Sequence, residues 1–303
     1  MGTDILEIKG LKKSFGEKKV LQGVDLNVPE NSVVGFIGRN GAGKTTTMKA
    51  VLGLLKPDEG EIRVCGEKVI YGQTETNRLI GYLPDVPEFY RYMKAQEYLK
   101  LCGRITGMEE SVIDARSSEL LELVGLAGEK RKLKTYSRGM KQRLGIAQAL
   151  MGKPRLLICD EPTSALDPIG RREILEILRT ARERTSVIFS THILSDVEKI
   201  CDHVVFLEGG RIVKSGTIDE IRGIRNGSGI EVVLAEPQDT QKIFAAFPEA
   251  QAGPAVNTVI IRKADEDTAF RLMTFLANEH ISVSRFERME RDLEEMFMEM
   301  IGK

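Results

Sequence analysis

Gly38-Arg39-Asn40-Gly41-Ala42-Gly43-Lys44-Thr45-Thr46 stands directly after the apolar run Val33 to Ile37 and before a helix-forming run from Thr46 to Leu55. A strand, a glycine-rich bend and a helix in that order define a phosphate-binding loop, which belongs at the carboxyl edge of an α/β sheet. The chemistry explains the composition. Phosphate groups concentrate negative charge, and glycines at 38, 41 and 43 let backbone N–H groups approach them with no side chain in the way. The following helix turns the positive end of its dipole toward the same place, and Lys44 adds a full charge. Thr45 carries the hydroxyl that usually ligates the Mg²⁺ accompanying a nucleotide.

The rest of the chain narrows the class. With 303 residues there is room for one large and one small domain. Its 44 basic residues nearly cancel its 45 acidic ones, so net charge gives no argument for direct nucleic-acid binding. Cys65, Cys102, Cys159 and Cys201 are far apart, without C-x-x-C or matching histidine spacing. The reading is a reduced, cytoplasmic chain without structural zinc. No signal-peptide pattern opens the sequence and no apolar run reaches the ~20 residues of a bilayer span. Membrane contact is therefore expected only through another protein.

Three patterns follow one another along the chain. From Ile5 to about Val28 the alternation predicts half-buried antiparallel strands. Residues 33–37, 156–159, 186–190 and 203–207 are short, nearly all apolar and rich in branched side chains, which predicts a buried, mostly parallel sheet. Between Lys94 and Met151 the period is helical, with Gly103, Gly107, Gly125 and Gly128 as punctuation, so a helical insertion is expected at about 94–151. The turn-prone string ending Arg225-Asn226-Gly227-Ser228-Gly229 reads as a linker. Beyond it strands (230–234, 258–262, 281–286) alternate with helices (238–247, 266–278, 292–301), as in a small α/β domain. The expected domains are residues 1–222 and 223–303.

A second constellation completes the chemistry. Leu156-Leu157-Ile158-Cys159 ends in Asp160-Glu161, continues through Pro162-Thr163-Ser164-Ala165-Leu166-Asp167, and is followed by Ser190-Thr191-His192 at another strand end. In a phosphate-loop fold Asp160 stands near the metal and Glu161 near an attacking water. His192 alone of the three histidines lies at the carboxyl edge of the predicted sheet, where α/β folds place ligands.

These residues, over Ile5 to about Ile221, resemble the nucleotide-binding subunit of an ABC transporter. Tyr136-Ser137-Arg138-Gly139-Met140-Lys141-Gln142-Arg143 is similar to the family's LSGGQ signature. The resemblance implies a P-loop NTPase cassette with a mixed sheet core, an antiparallel β subdomain and an inserted helical subdomain, followed here by the small C-terminal α/β domain. It also implies ATP and Mg²⁺ as ligands, and a head-to-tail dimer of two copies in which Ser137 and Gly139 meet the partner's ATP. Phe15 matches the aromatic that stacks on adenine, Asp167 the loop signalling between sites, His192 the switch histidine and Glu161 the general base. Thr45, Asp160 and Asp85 match positions around the metal. Two departures stand out. Asp85 replaces the usual glutamine, is one methylene shorter and reaches Mg²⁺ only through water; Arg138 replaces a glycine, and either strengthens binding or restricts closure.

The ending Asp292-Leu293-Glu294-Glu295-Met296-Phe297-Met298-Glu299-Met300 is similar to that of bacterial exporters of the drug-resistance, sodium-efflux and gliding-motility type, and reads equally as an amphipathic core helix. The implied function is an ATPase powering export through a separate integral membrane permease, peripheral on the inner face of the membrane. Phe89, Tyr90, Tyr92 and Met93 mark where the family receives its permease. An importer subunit with a regulatory tail and a soluble ABC ATPase acting on ribosome or DNA are the rivals. A module that binds ATP without hydrolysing it fits poorly with an intact Glu161.

Overall fold

The computed structural model describes residues 4–73, 75–222, 229–262 and 264–289, together with Leu293, Met296 and Phe297. Its chain divides into two compact units, Met1–Thr217 and Ile218–Lys303.

In the first unit the order is β1 (Asp4–Phe15), β2 (Lys18–Pro29), β3 (Val33–Ile37), α1 (Lys44–Val51), β4 (Glu59–Val64), β5 (Glu67–Lys68), β6 (Ile80–Leu83), α2 (Ala95–Ile105), α3 (Glu110–Leu123), α4 (Arg138–Ala149), β7 (Leu156–Asp160), α5 (Pro168–Ala181), β8 (Ser186–Thr191), α6 (Leu194–Ile200), β9 (His203–Glu208) and β10 (Arg211–Thr217). A six-stranded sheet runs β10-β9-β3-β8-β7-β6. Its pairs are parallel from β9 through β6, and β10 alone is antiparallel. The central strands are buried along their whole length, as their largely apolar sequences require. A second sheet, β2-β1-β4-β5, is antiparallel throughout. Its alternating strands turn Leu6, Ile8, Leu26 and Ile62 into one core with Val34, Phe36, Ile158 and Val205 of the first sheet and Met48 of α1.

Several boundaries differ from those expected. Ile80 to Leu83, which lies in none of the expected strands, is the parallel edge strand of the large sheet, because four residues with three apolar side chains suffice when β7 supplies the pairing. The helix after the phosphate loop starts at Lys44 and stops at Val51, where Leu52 turns back onto Met48 and Ala50 and Gly53 takes a positive φ of 65°. Strands β4, β5 and β10 carry no apolar run of their own.

The second unit contains α7 (Ile218–Arg222), β11 (Gly229–Leu234), α8 (Thr240–Ala246), β12 (Ala250–Ala252), β13 (Thr258–Ile261), α9 (Glu266–Asn278) and β14 (Val283–Met289). Its sheet, β12-β13-β11-β14, is wholly antiparallel. Strand-helix alternation alone suggests parallel crossovers; here the added strand β12 turns straight back into β13. Ile230, Val232, Val259 and Ile261 pack with Ile243, Phe247, Leu272 and Leu276. Of the linker expected over residues 220–229, residues 220–222 close α7 and Gly229 opens β11, while 223–228 lie outside the described residues. Of the expected final helix only Leu293, Met296 and Phe297 are described, each helical and buried. Among the described residues no helix is long and apolar enough to cross a membrane.

Candidate active site

β3 delivers Gly38 at its carboxyl end, between the ends of β8 and β9. A Cβ at Gly38 would stand 2.5 Å from the carbonyl oxygen of Leu207, so only glycine fits that approach. Gly43 precedes α1 in a left-handed conformation, φ 115°, and offers no side-chain cap. The Thr47 N–H donates to Gly43 O at 2.9 Å, and the N–H groups of Lys44, Thr45 and Thr46 have no carbonyl one turn earlier to receive them. This is an anion cradle with the helix dipole behind it.

Side chains from three strand ends converge there. Lys44 is only 6 % exposed; its ammonium donates to Gly38 O at 2.7 Å and lies 3.2 Å from Glu161 Oε1, an ion-pair contact without an aligned hydrogen bond. Thr45 Oγ1 donates to Asp160 Oδ2 at 2.7 Å. Ser190, fully buried, donates its hydroxyl to Asp160 Oδ1 at 2.6 Å and accepts the Glu161 N–H at 2.9 Å. Glu161 Oε2 is 2.8 Å from His192 Nδ1. Glu161 itself has a φ of 48°, a left-handed geometry costing a non-glycine residue about 1–2 kcal/mol. The bonds to Ser190 hold it there. Beside these groups, burial, helped by Asp160, keeps the Cys159 thiol far above its ordinary range, and burial pushes the Tyr82 phenol up to about 12. Both stay neutral.

Arg39, Asn40, Gly41, Gly43, Lys44, Thr45, Thr46, Asp85, Asp160 and Glu161 line one cleft of about 380 Å³, joined by Lys18 and Val20 of β2. Gly38 and Ala42 are buried and do not line it. Phe15 is 52 % exposed at the end of β1, paired across the hairpin with Lys18, and the Lys13 ammonium lies 5.6 Å from its ring centroid. His192 is exposed just past β8.

Comparison with known proteins places this cleft in a family. Residues 21–164 match the family described as ABC transporter. An uncharacterized ABC transporter ATP-binding protein of Bacillus subtilis, YxlF, is 37% identical over 299 residues, 98% of this chain and 99% of that protein. The chain belongs to the ABC transporter ATP-binding proteins. This ABC ATPase is also 36% identical to the bacitracin transport ATP-binding protein BcrA of Bacillus licheniformis, over 99% of this chain and 98% of that one. The daunorubicin resistance ATP-binding protein DrrA3 of Streptomyces coeruleorubidus is 35% identical over 82% of this chain and 79% of its own. Among solved structures, an ATP binding subunit of an ABC transporter superposes with a TM-score of 0.65 at 34% identity, covering 73% of this chain and 92% of that chain. Members of the family hydrolyse ATP, and this chain is an ATPase.

The signature segment of the ABC ATPase borders its own cleft through Arg138, beside Asp85. Ser137 is exposed and caps α4, accepting the Met140 N–H at 3.2 Å, while a Cβ added to Gly139 would meet only Leu166, at 3.9 Å. Neither residue lines the cleft of the same chain. The two departures from the family pattern face each other: Arg138 Nη2 is 3.4 Å from Asp85 Oδ1. A cation in the first turn of a helix opposes the dipole, and Asp85 offsets it. Gln142, fully buried one turn later, donates to Asp85 O at 2.6 Å, so α4 grips residue 85 by backbone and side chain. Lys18 and Val20 escape a reading by motif, and the motifs that contain Gln142 and Ser190 do not announce their bonds to Asp85 O and Asp160. Only the position of Ser190 two residues before His192 hints at its place.

Proposed function

We propose that this chain is the ATP-hydrolysing subunit of an exporter, working as a head-to-tail pair of identical copies that drives a separate membrane permease. The observation that carries the chemical half is the placement of Glu161, between Lys44 and His192 at the head of the phosphate loop. Export is favoured by the names of BcrA and DrrA3, which speak of bacitracin transport and daunorubicin resistance. The signature residues Ser137 and Gly139, which do not line the chain's own cleft, support a site completed by a second copy.

In this reading the loop N–H groups and Lys44 bind the β and γ phosphates, and Phe15 stacks on the base. The oxygens of Thr45 and Asp160, 2.7 Å apart, are a hard donor set that would hold Mg²⁺, and Asp85 on the same cleft wall would add a carboxylate near it. Mg²⁺, when bound, neutralises charge on the phosphates. Glu161 accepts the proton of the attacking water, and His192 donates to the γ-phosphate. Ser137 and Gly139 close over the partner's nucleotide, and closing and reopening move the permease.

The test is Glu161→Gln. Turnover is expected to fall by roughly 10²–10⁴-fold, the usual contribution of a positioned base, with ATP binding retained. ATP should then hold the chain as a dimer on size exclusion. Turnover near wild type would remove the assignment.

A further inference from the structure

We infer that Asp196 is a positioning residue for the hydrolytic machinery: a buried carboxylate that ties the segment carrying Asp167 to the helix that follows His192. The inference rests on the reading that Glu161 and His192 carry the chemistry. Asp196 lies in the first turn of α6 and is 0% exposed. Its Oδ2 accepts the Thr163 hydroxyl at 2.8 Å and its Oδ1 accepts Arg171 Nη2 at 2.6 Å. Thr163 and Arg171 stand on either side of Asp167, which caps α5 by accepting the Gly170 N–H at 2.8 Å. One carboxylate thus grips both flanks of that loop.

The loop needs such a grip. Two non-glycine residues around Thr163, Glu161 and Ala165, take positive φ of 48° and 51°, conformations that persist only where the surroundings over-determine them. Ser190 fixes the beginning of the segment, and Thr163, itself 1% exposed, is held from α6. On the other side, Ile193 N–H donates to Thr191 Oγ1 at 2.9 Å, joining the start of α6 to the end of β8 around His192. A shift of α6 therefore moves His192 and the Asp167 loop together. A buried ion pair is a poor source of stability and a good device for fixing geometry, which is the use assigned to Arg171 and Asp196 here.

The experiment uses the full-length chain with Thr163→Val, Asp196→Asn and both together, measuring kcat at saturating ATP and the Kd of a fluorescent ATP analogue. Thr163→Val is nearly isosteric and leaves the Arg171 pair intact. The expected result is a kcat lowered about threefold to tenfold by Thr163→Val and at least about tenfold by Asp196→Asn, small displacements being costly to a positioned reaction. The Kd should stay within about twofold in each, and the double variant should be no slower than Asp196→Asn, because both changes break one interaction. A wild-type kcat in Thr163→Val, or kcat and affinity falling in proportion, overturns the inference. Should Asp196→Asn fail to fold, Thr163→Val decides alone. Glu161→Gln is run alongside: if it turns over near wild type the reading of the site has failed, whereas an inactive Glu161→Gln beside wild-type Thr163→Val rejects only the role of Asp196.

Discussion

The phosphate loop and the signature segment each present glycines and a helix N-terminus, in two different settings. At the loop, Lys44 is 6 % exposed, Asp160 is 3% exposed, and each polar group is held by neighbours on other strands. At the start of α4, Ser137 is exposed, Gly139 is only partly covered, and the side chains of Arg138 and Asp85 are 44% and 47% exposed. The first is finished within one chain. The second has its backbone fixed by Ser137 and Gln142 while its outward face is open to water. Burial decides how much a substitution costs, so equal changes in the two regions should differ by orders of magnitude.

The largest effect is expected from Lys44→Ala, which deletes a buried charge and leaves Glu161 Oε1 without its cation. Loss of charge-assisted hydrogen bonds to phosphate, at about 1.5–3 kcal/mol each, should weaken ATP roughly tenfold to a hundredfold or more and end hydrolysis. Unchanged affinity in a nucleotide titration would break the comparison at its stronger end. Next comes a mixing experiment. Ser137→Arg and Lys44→Ala chains are each inactive, yet a heterodimer collects both defects in one composite site and leaves the other whole. About a quarter of wild-type turnover should return at equal mixing if pairing is random and sites act independently. A mixture as dead as its parents, with heterodimers present, would show that Ser137 serves its own chain.

Smaller changes are expected from Asp85→Gln and Arg138→Gly. The pair is half exposed, and such pairs are worth about 0–1 kcal/mol, so each change should alter ATP affinity or turnover by no more than about fivefold. Combined, they should show coupling that fades as salt rises. Strict additivity at low salt would mean that the contact does no work. Removal of residues 223–303 should alter ATP affinity least of all, since every residue assigned to the nucleotide precedes Thr217. We propose that this second unit regulates or stabilises the pair; a truncated chain that is folded by circular dichroism yet cannot bind ATP would refute its separateness.

Much of the floor of the cleft was legible because its chemistry is written in consecutive residues. Gly38 to Thr46 and Leu156 to Glu161 each join a strand to its functional group without interruption, so strand, turn and charge could be read together. Ser190 and Asp196 were not legible as partners. Each is a polar residue that a sequence shows next to apolar neighbours, and only the parallel register of β8 beside β7 brings Ser190 to Asp160. The contact between Asp85 and Arg138 was hidden for the same reason, since 53 residues separate them. Strand β6 is too short to announce itself, and the antiparallel sheet of the second unit depends on pairings that alternation does not encode.

Lys44 cannot be in two places. In the resting chain its ammonium is shared between Gly38 O and the Glu161 carboxylate, while His192 occupies the other oxygen of that same carboxylate. Both oxygens of the Glu161 carboxylate are thus engaged at once, one from the phosphate loop and one from the residue after β8. Drawing the lysine toward a phosphate would take the cation from Glu161 Oε1, so phosphate binding and the release of that oxygen are expected to go together.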